Sequence, residues 1–277
     1  MEILRTTADM RRARAGRTAA ACVPTMGNLH EGHLGLMRLA RQHGSTVIAT
    51  IFVNRLQFGP NEDFDRYQRT FEADCAKLAA AGVDFLFAPA ESELYPEPQT
   101  FAVSPPAALA DILEGEFRPG FFRGVATVVA KLFNVVAPDI AVFGKKDYQQ
   151  LLVIRAMVKQ LNWPVAIIAG ETARAADGLA LSSRNAYLSE EERREAPRLN
   201  SALVKAADEL RAGIHDIPGL ERRSYDELVK NNWKPDYFAV RDQATLQAPA
   251  TGARNLVVLA AARLGTTRLI DNLEVAL

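Results

Sequence analysis

Strand-like and helix-like segments alternate through the first two thirds of this chain, and that alternation restricts its fold more than any other feature. Residues 18–23 form a short apolar run that ends at Pro24 and reads as a buried strand. Residues 32–42 carry Leu34, Met37, Leu39 and Ala40 at the spacing of one helix face. The β-branched stretch 46–53 predicts a second strand. Residues 70–81 predict a helix stopped at Gly82, and 83–87 the next strand. After a Pro-rich passage at 95–106, the segments 124–136, 140–143, 148–162 and 165–169 read as helix, strand, helix and strand. Right-handed crossovers then imply an α/β fold, a Rossmann-like doubly wound parallel sheet with helices on both faces. Such sheets bind ligands at the carboxyl ends of their strands, where strand order switches, so chemistry is expected in the loops after Val23, Val53 and Phe143. The texture changes near 173–185: residues 189–212 predict a charged helix, and 237–240 and 256–260 predict strands. The expected organisation is a Rossmann-like domain over 1–173 and a smaller α+β domain over 174–277.

Charge and composition narrow the class. The 277 residues carry 33 Lys and Arg against 33 Asp and Glu, which denies the chain the broad positive field of a nucleic-acid binder. No window approaches the roughly 20 apolar residues of a membrane-spanning helix. The first residues lack the apolar stretch of a signal peptide, so no membrane partner and a cytoplasmic location are expected. Cys22 and Cys75 stand in no metal-ligand spacing and read as free thiols of a reduced compartment.

The strongest chemical signal is the first loop, Pro24-Thr-Met-Gly-Asn-Leu-His-Glu-Gly-His33. Gly27 and Gly32 allow the backbone to approach a phosphate, and a helix starting near Gly32 or His33 offers free N–H groups and the positive end of its dipole. His30 and His33, three residues apart, can project to one side and donate hydrogen bonds to phosphate oxygens. The same pair is compatible with a metal site or with helix caps.

The loop matches the His-x-Gly-His signature of the nucleotidyltransferase superfamily. Ile51-Phe-Val-Asn-Arg-Leu-Gln-Phe58, the run Glu114–Val129, Phe143-Gly-Lys-Lys-Asp-Tyr-Gln-Gln150, Asp177–Asn185 and Ala262–Asn272 sharpen this. Together they resemble the pantothenate synthetase (pantoate–β-alanine ligase) family, in order and along the chain. The resemblance implies that ATP activates pantoate as an acyl-adenylate, releasing pyrophosphate, and that β-alanine then displaces AMP. It implies Mg2+ accompanying ATP, no tightly bound organic cofactor and a homodimer, with the apolar stretch 100–103 as a candidate joining strand. The smaller domain is expected to act as a lid.

Residue by residue, the resemblance makes His33 the catalytic acid, with His30, Lys146 and Arg184 beside it. ATP is expected on Met26, Gly27, Asn28, Leu29, His30, Glu31, Gly32 and His33. Further ATP contacts are expected from Gly144, Lys145, Lys146, Asp147, Ala173, Leu181, Ser182, Ser183 and Arg184. Pantoate is expected on Asn54, Gln57 and Gln150, and β-alanine beside Gln57. Lys145 reads as the more solvated of the two lysines, Ser182 and Ser183 are compatible with a plain turn, and no protein ligand for magnesium is identifiable. The sequence departs from the family's usual pattern at Arg55 and Gln68, where proline is usual, at Phe121 in place of histidine and at Leu181 in place of methionine. The lost prolines are expected to loosen that wall of the pantoate pocket. Two other readings share the first loop: a transferase that makes a dinucleotide cofactor, and a non-catalytic nucleotide-binding module.

Overall fold

The computed structural model describes residues 1–60 and 62–277. The chain forms two compact units: Met1–Gly144 with Val153–Glu171, and Lys145–Leu152 with Thr172–Leu277. The second unit therefore includes a piece, 145–152, that lies well before the expected boundary at 173.

The first unit is built on a six-stranded parallel sheet in the order β1-β4-β3-β2-β5-β6. Its strands are β1 (Glu2–Leu4), β2 (Ala20–Thr25), β3 (Thr46–Ile51), β4 (Phe85–Phe87), β5 (Ile140–Gly144) and β6 (Ala166–Gly170). Helices α1 (Thr7–Arg14), α2 (Glu31–His43) and α3 (Phe71–Ala80) are followed by the short turns α4 (Glu91–Leu94), α5 (Ala107–Ala110) and α6 (Glu114–Phe117). Then come α7 (Phe121–Val136) and α8 (Tyr148–Gln160), whose residues from Val153 on belong to this unit. From β2 the chain winds outward through β3 and β4, then returns to the other side of β2 for β5 and β6. The switch in strand order lies between β2 and β5, as the doubly wound pattern requires. Leu29, Met37, Ala40, Leu78 and Leu86 pack α2 and α3 onto the sheet. α7 is apolar nearly all round and correspondingly buried.

Three of the differences from the sequence-based expectation are the most informative. β2 runs through Pro24 to Thr25, because pairing with β5 is confined to Ala21 and Cys22. Beyond that pairing only β3 needs a partner, and a residue without an amide N–H fits. The helix expected over 189–212 breaks at Pro197 into α9 (Glu190–Glu195) and α10 (Arg198–Arg211), since proline cannot complete an interior helical hydrogen bond. Residues 100–103, expected as a joining strand, are irregular, with Phe101 89% exposed and the Val103 N–H bonded to Thr127 Oγ1 at 3.1 Å.

The second unit pairs α10 and α11 (Ile217–Lys230) with an antiparallel sheet β7-β8-β9. These strands are Trp233–Asp242, Asn255–Leu264 and Thr267–Ala276. Leu199, Leu203, Ala206, Trp233, Val240 and Val258 form its core.

Candidate active site

The loop after β2 is fixed by its own backbone donors. Gly27 adopts φ +81°, which a side chain would strain. Thr25 Oγ1 donates to the Thr50 carbonyl at 2.6 Å, tying the loop's start to β3. Asp74, on α3 and 1% exposed, accepts the N–H groups of Asn28 and Leu29, both at 2.8 Å, and the Thr70 hydroxyl at 3.1 Å. A buried carboxylate bearing these charge-assisted bonds is a strong anchor. Lys77 Nζ donates to the Leu29 carbonyl at 2.6 Å from the same helix.

His30 is the N-cap of α2, and the two imidazoles close a reciprocal box. The Gly32 N–H donates to His30 Nδ1 at 3.2 Å, and the His30 N–H donates to His33 Nδ1 at 3.3 Å. The rings lie 4.1 Å apart, tilted by 41°. An Nδ1 that accepts an N–H holds no proton there, so this arrangement assigns the proton of each ring to Nε2. The structure shows the cap: Nδ1 of each ring closes the first turn of α2, at the positive end of its dipole. Glu31 is exposed and ion-paired with Arg38.

At the end of β3, Asn54 is 1% exposed, and its Nδ2 donates to Gln57 Oε1 and to the Gly124 carbonyl, both at 3.1 Å. Its Oδ1 accepts the Tyr95 hydroxyl at 2.9 Å; burial, with a smaller contribution from Glu91, pushes that phenol's pKa up and keeps it a donor. With its oxygen accepting, the Gln57 amide directs Nε2 to Met26 Sδ at 3.2 Å. Gly124 is required here, since a Cβ would stand 2.2 Å from the Leu56 carbonyl oxygen. A cavity of about 300 Å³ lies alongside, lined by Met26, Gly27, Val53, Phe64, Arg69 and Asp74 among others.

The departures at 55, 68 and 121 are occupied by residues with contacts of their own. Arg55 lies 4.0 Å above the Phe64 ring and 3.3 Å from Glu91. Gln68 Oε1 accepts from Asn28 Nδ2 at 3.1 Å. Phe121 carries the Arg118 guanidinium at 3.6 Å, which also holds Glu62 at 2.6 and 2.7 Å and the Gln57 carbonyl at 3.3 Å.

The second unit gathers the remaining residues. β5 ends at Gly144, and a 3₁₀ turn over Lys145–Asp147 leads into α8, where Gln150 lies in the first turn. Lys145, expected to be solvated, instead pairs with Glu274 at 2.7 Å and is 20% exposed. Lys146 Nζ lies 3.9 Å from Asp147 Oδ1. The Ala173 carbonyl accepts the Leu181 N–H at 2.9 Å, which sets these two predicted contacts side by side. Ser182 caps a 3₁₀ turn over Ser183–Tyr187, accepting the Arg184 N–H at 3.3 Å. Asp74 and Tyr95 escape the sequence reading; for Asp74 the available signal was its spacing of four from buried Leu78, a carboxylate on an apolar helix face.

Three comparisons bear on these units. The profile of the Pantoate-beta-alanine ligase family matches residues 2–274. The pantothenate synthetase of Thermus thermophilus is 45% identical with a TM-score of 0.95, over 100% of both chains. The pantoate-beta-alanine ligase of Francisella tularensis, solved in complex with "Beta-gamma ATP" and β-alanine, is 32% identical with a TM-score of 0.80. That match covers 99% of this chain and 97% of the other.

Proposed function

This chain belongs to the pantoate–β-alanine ligase family, and we propose that the residues described above divide its ATP-dependent synthesis of pantothenate as follows. A carboxylate oxygen of pantoate attacks the α-phosphorus of ATP; the bond from that phosphorus to the bridging oxygen breaks, and pyrophosphate leaves. The amine nitrogen of β-alanine then attacks the acyl carbon, its bond to the AMP oxygen breaks, and the amine gives up a proton.

The observation that carries the reading is the His30–His33 box at the start of α2. Two Nε2–H donors held by their own backbone caps are preorganised for phosphate oxygens that gain charge as pyrophosphate departs. In this role His33 holds its proton rather than transferring it. The Met26–Gly32 backbone, with the dipole of α2, takes the phosphates. Gln57 binds pantoate through its oriented Nε2–H and borders β-alanine, with Gln150 as the second pantoate amide. Asn54 acts through Gln57, because both its N–H groups are engaged.

From the second unit, Lys146 and Arg184 supply positive charge to the phosphates, Asp147 accepts from the ribose hydroxyls, and Ser182 and Ser183 add hydroxyl donors. Lys145 serves through its pair with Glu274. Among the described residues no group of three or more His, Cys, Asp or Glu is placed to hold a metal ion. Mg2+ keeps several waters and needs few protein ligands, so we assign it to the phosphates and water, entering with ATP. No helix among the described residues is long and apolar enough to cross a membrane. A cytoplasmic location and a homodimer complete the proposal.

Exchange of labelled pyrophosphate into ATP, with pantoate present and β-alanine absent, tests the reading. Exchange that depends on pantoate is expected. Its absence with folded protein and magnesium would overturn the acyl-adenylate route, and a dinucleotide product in place of pantothenate would favour the transferase.

A further inference from the structure

Two consecutive residues of β9 reach the loops that carry the second unit's assigned groups. Asn272 is 6% exposed and donates through Nδ2 to the carbonyls of Lys145 at 2.9 Å and Lys146 at 2.8 Å. Asp271 is 4% exposed and accepts both terminal nitrogens of Arg174, at 2.7 and 2.9 Å. It also accepts Asn200 Nδ2 at 3.3 Å and the Asn272 N–H at 2.8 Å. Arg174 follows Ala173 and pairs with Ala180 in a β-bridge, directly before Leu181–Arg184. Successive side chains on a strand leave on opposite sides. A single step of β9 thus holds the 145–147 turn with one residue and the 173–181 loop with the other. Glu274, two residues on and so on the Asn272 side, accepts from Lys145 Nζ at 2.7 Å and from the Tyr148 hydroxyl at 3.0 Å.

We propose that Asp271 and Asn272 are positioning residues for adenylation. They fix the backbone that presents Lys146 and Asp147, and the backbone that presents Ser182–Arg184. The inference rests on the assignment of ATP to those segments. Both hydrogens of the Asn272 amide are used on neighbouring carbonyls, so the peptide planes on either side of Lys146 cannot rotate independently. Lys146 then meets the nucleotide from a fixed base, with little ordering left to be done on binding. Filling the space alone would not achieve this, because the carbonyls require donors.

Asn272→Asp keeps the shape and turns the amide donors into oxygen acceptors facing the two carbonyls. In pantoate-dependent pyrophosphate exchange, its KM for ATP is expected to rise about 10-fold or more, while its KM for pantoate stays within about 2-fold. Asn272→Ser, which keeps one donor, is expected to give an intermediate rise of about 3-fold. An unchanged KM for ATP in both variants overturns the inference, and so does an equal rise for ATP and pantoate, which would mark general loosening. Should Asn272→Asp not fold, Asn272→Ser decides by the same criteria. A wild-type protein with no exchange overturns the functional reading itself, a result distinct from either of these.

Discussion

Asp74 in the first unit and Asp271 in the second are both almost wholly buried, at 1% and 4% exposure, and both hold a loop assigned to ligand. They do so differently. Asp74 accepts two backbone N–H groups of adjacent loop residues, and so fixes the loop directly. Asp271 accepts a guanidinium, and its grip reaches the 173–181 loop through the Arg174 side chain. The first loop is short and continuous, with its own caps and with anchors close by on α3, where Asp74 and Lys77 both hold it. The second set is assembled from segments far apart in the chain, so its precision depends on side chains of a strand that itself carries no assigned ligand group.

That comparison can be sharpened by experiment. The largest effect is expected from His33→Ala, which removes a charge-stabilising donor and should slow pyrophosphate exchange by about 10²–10³ with the fold intact. His33→Asn, which keeps an N–H donor and no titrating ring, should recover part of that loss. A rate for His33→Asn no better than His33→Ala would restore a proton-transfer role. Next comes Asp74→Asn, which turns an amide toward two backbone donors that need an acceptor. It should lower the urea-unfolding free energy by about 2–3 kcal/mol. A loss under about 0.5 kcal/mol would show that the caps hold the loop alone.

The smallest effect concerns Glu195, whose pKa is held below the usual carboxylate range by Arg198 and then by Trp233 Nε1–H, against the opposing effect of burial. A carboxylate depressed in the folded state stabilises above its unfolded pKa of about 4.3, and that stability is lost as pH falls through the folded value. Glu195→Gln should therefore cost under about 1 kcal/mol near neutrality. The gap to wild type should close in acid, as read by urea unfolding; a pH-independent gap would mean that packing, not charge, holds this corner.

The same contrast governs what the sequence discloses. β3, α3, β5 and α8 follow from periodicity, because each buries one face or a whole apolar run. The His30–His33 loop is legible because glycines, histidines and a helix start stand close together in the chain. β9 is not legible: Asp271, Asn272 and Glu274 interrupt its apolar alternation, and those interruptions are the residues that hold the second loops. α11 is masked by Pro218-Gly219, which reads as a turn but stands in the helix's first turn, capped by Asp216. Asp74 reads as an ordinary helix residue until α3 is laid against the loop. Side-chain support from distant elements carries no local pattern, and so the placement of each assigned group was harder to foresee than its identity.

The box that joins His30 to His33 has a consequence for the catalytic cycle. If His33 acts as proposed, lending its N–H to a departing phosphate and keeping the proton, it has nothing to recover between turnovers. The amine that later closes the amide bond must shed a proton, and His33 Nδ1, engaged with the His30 backbone, is closed to it. On the proposed reading the base for that second step is a group other than His33, with water and the leaving phosphate oxygens of AMP the nearest candidates.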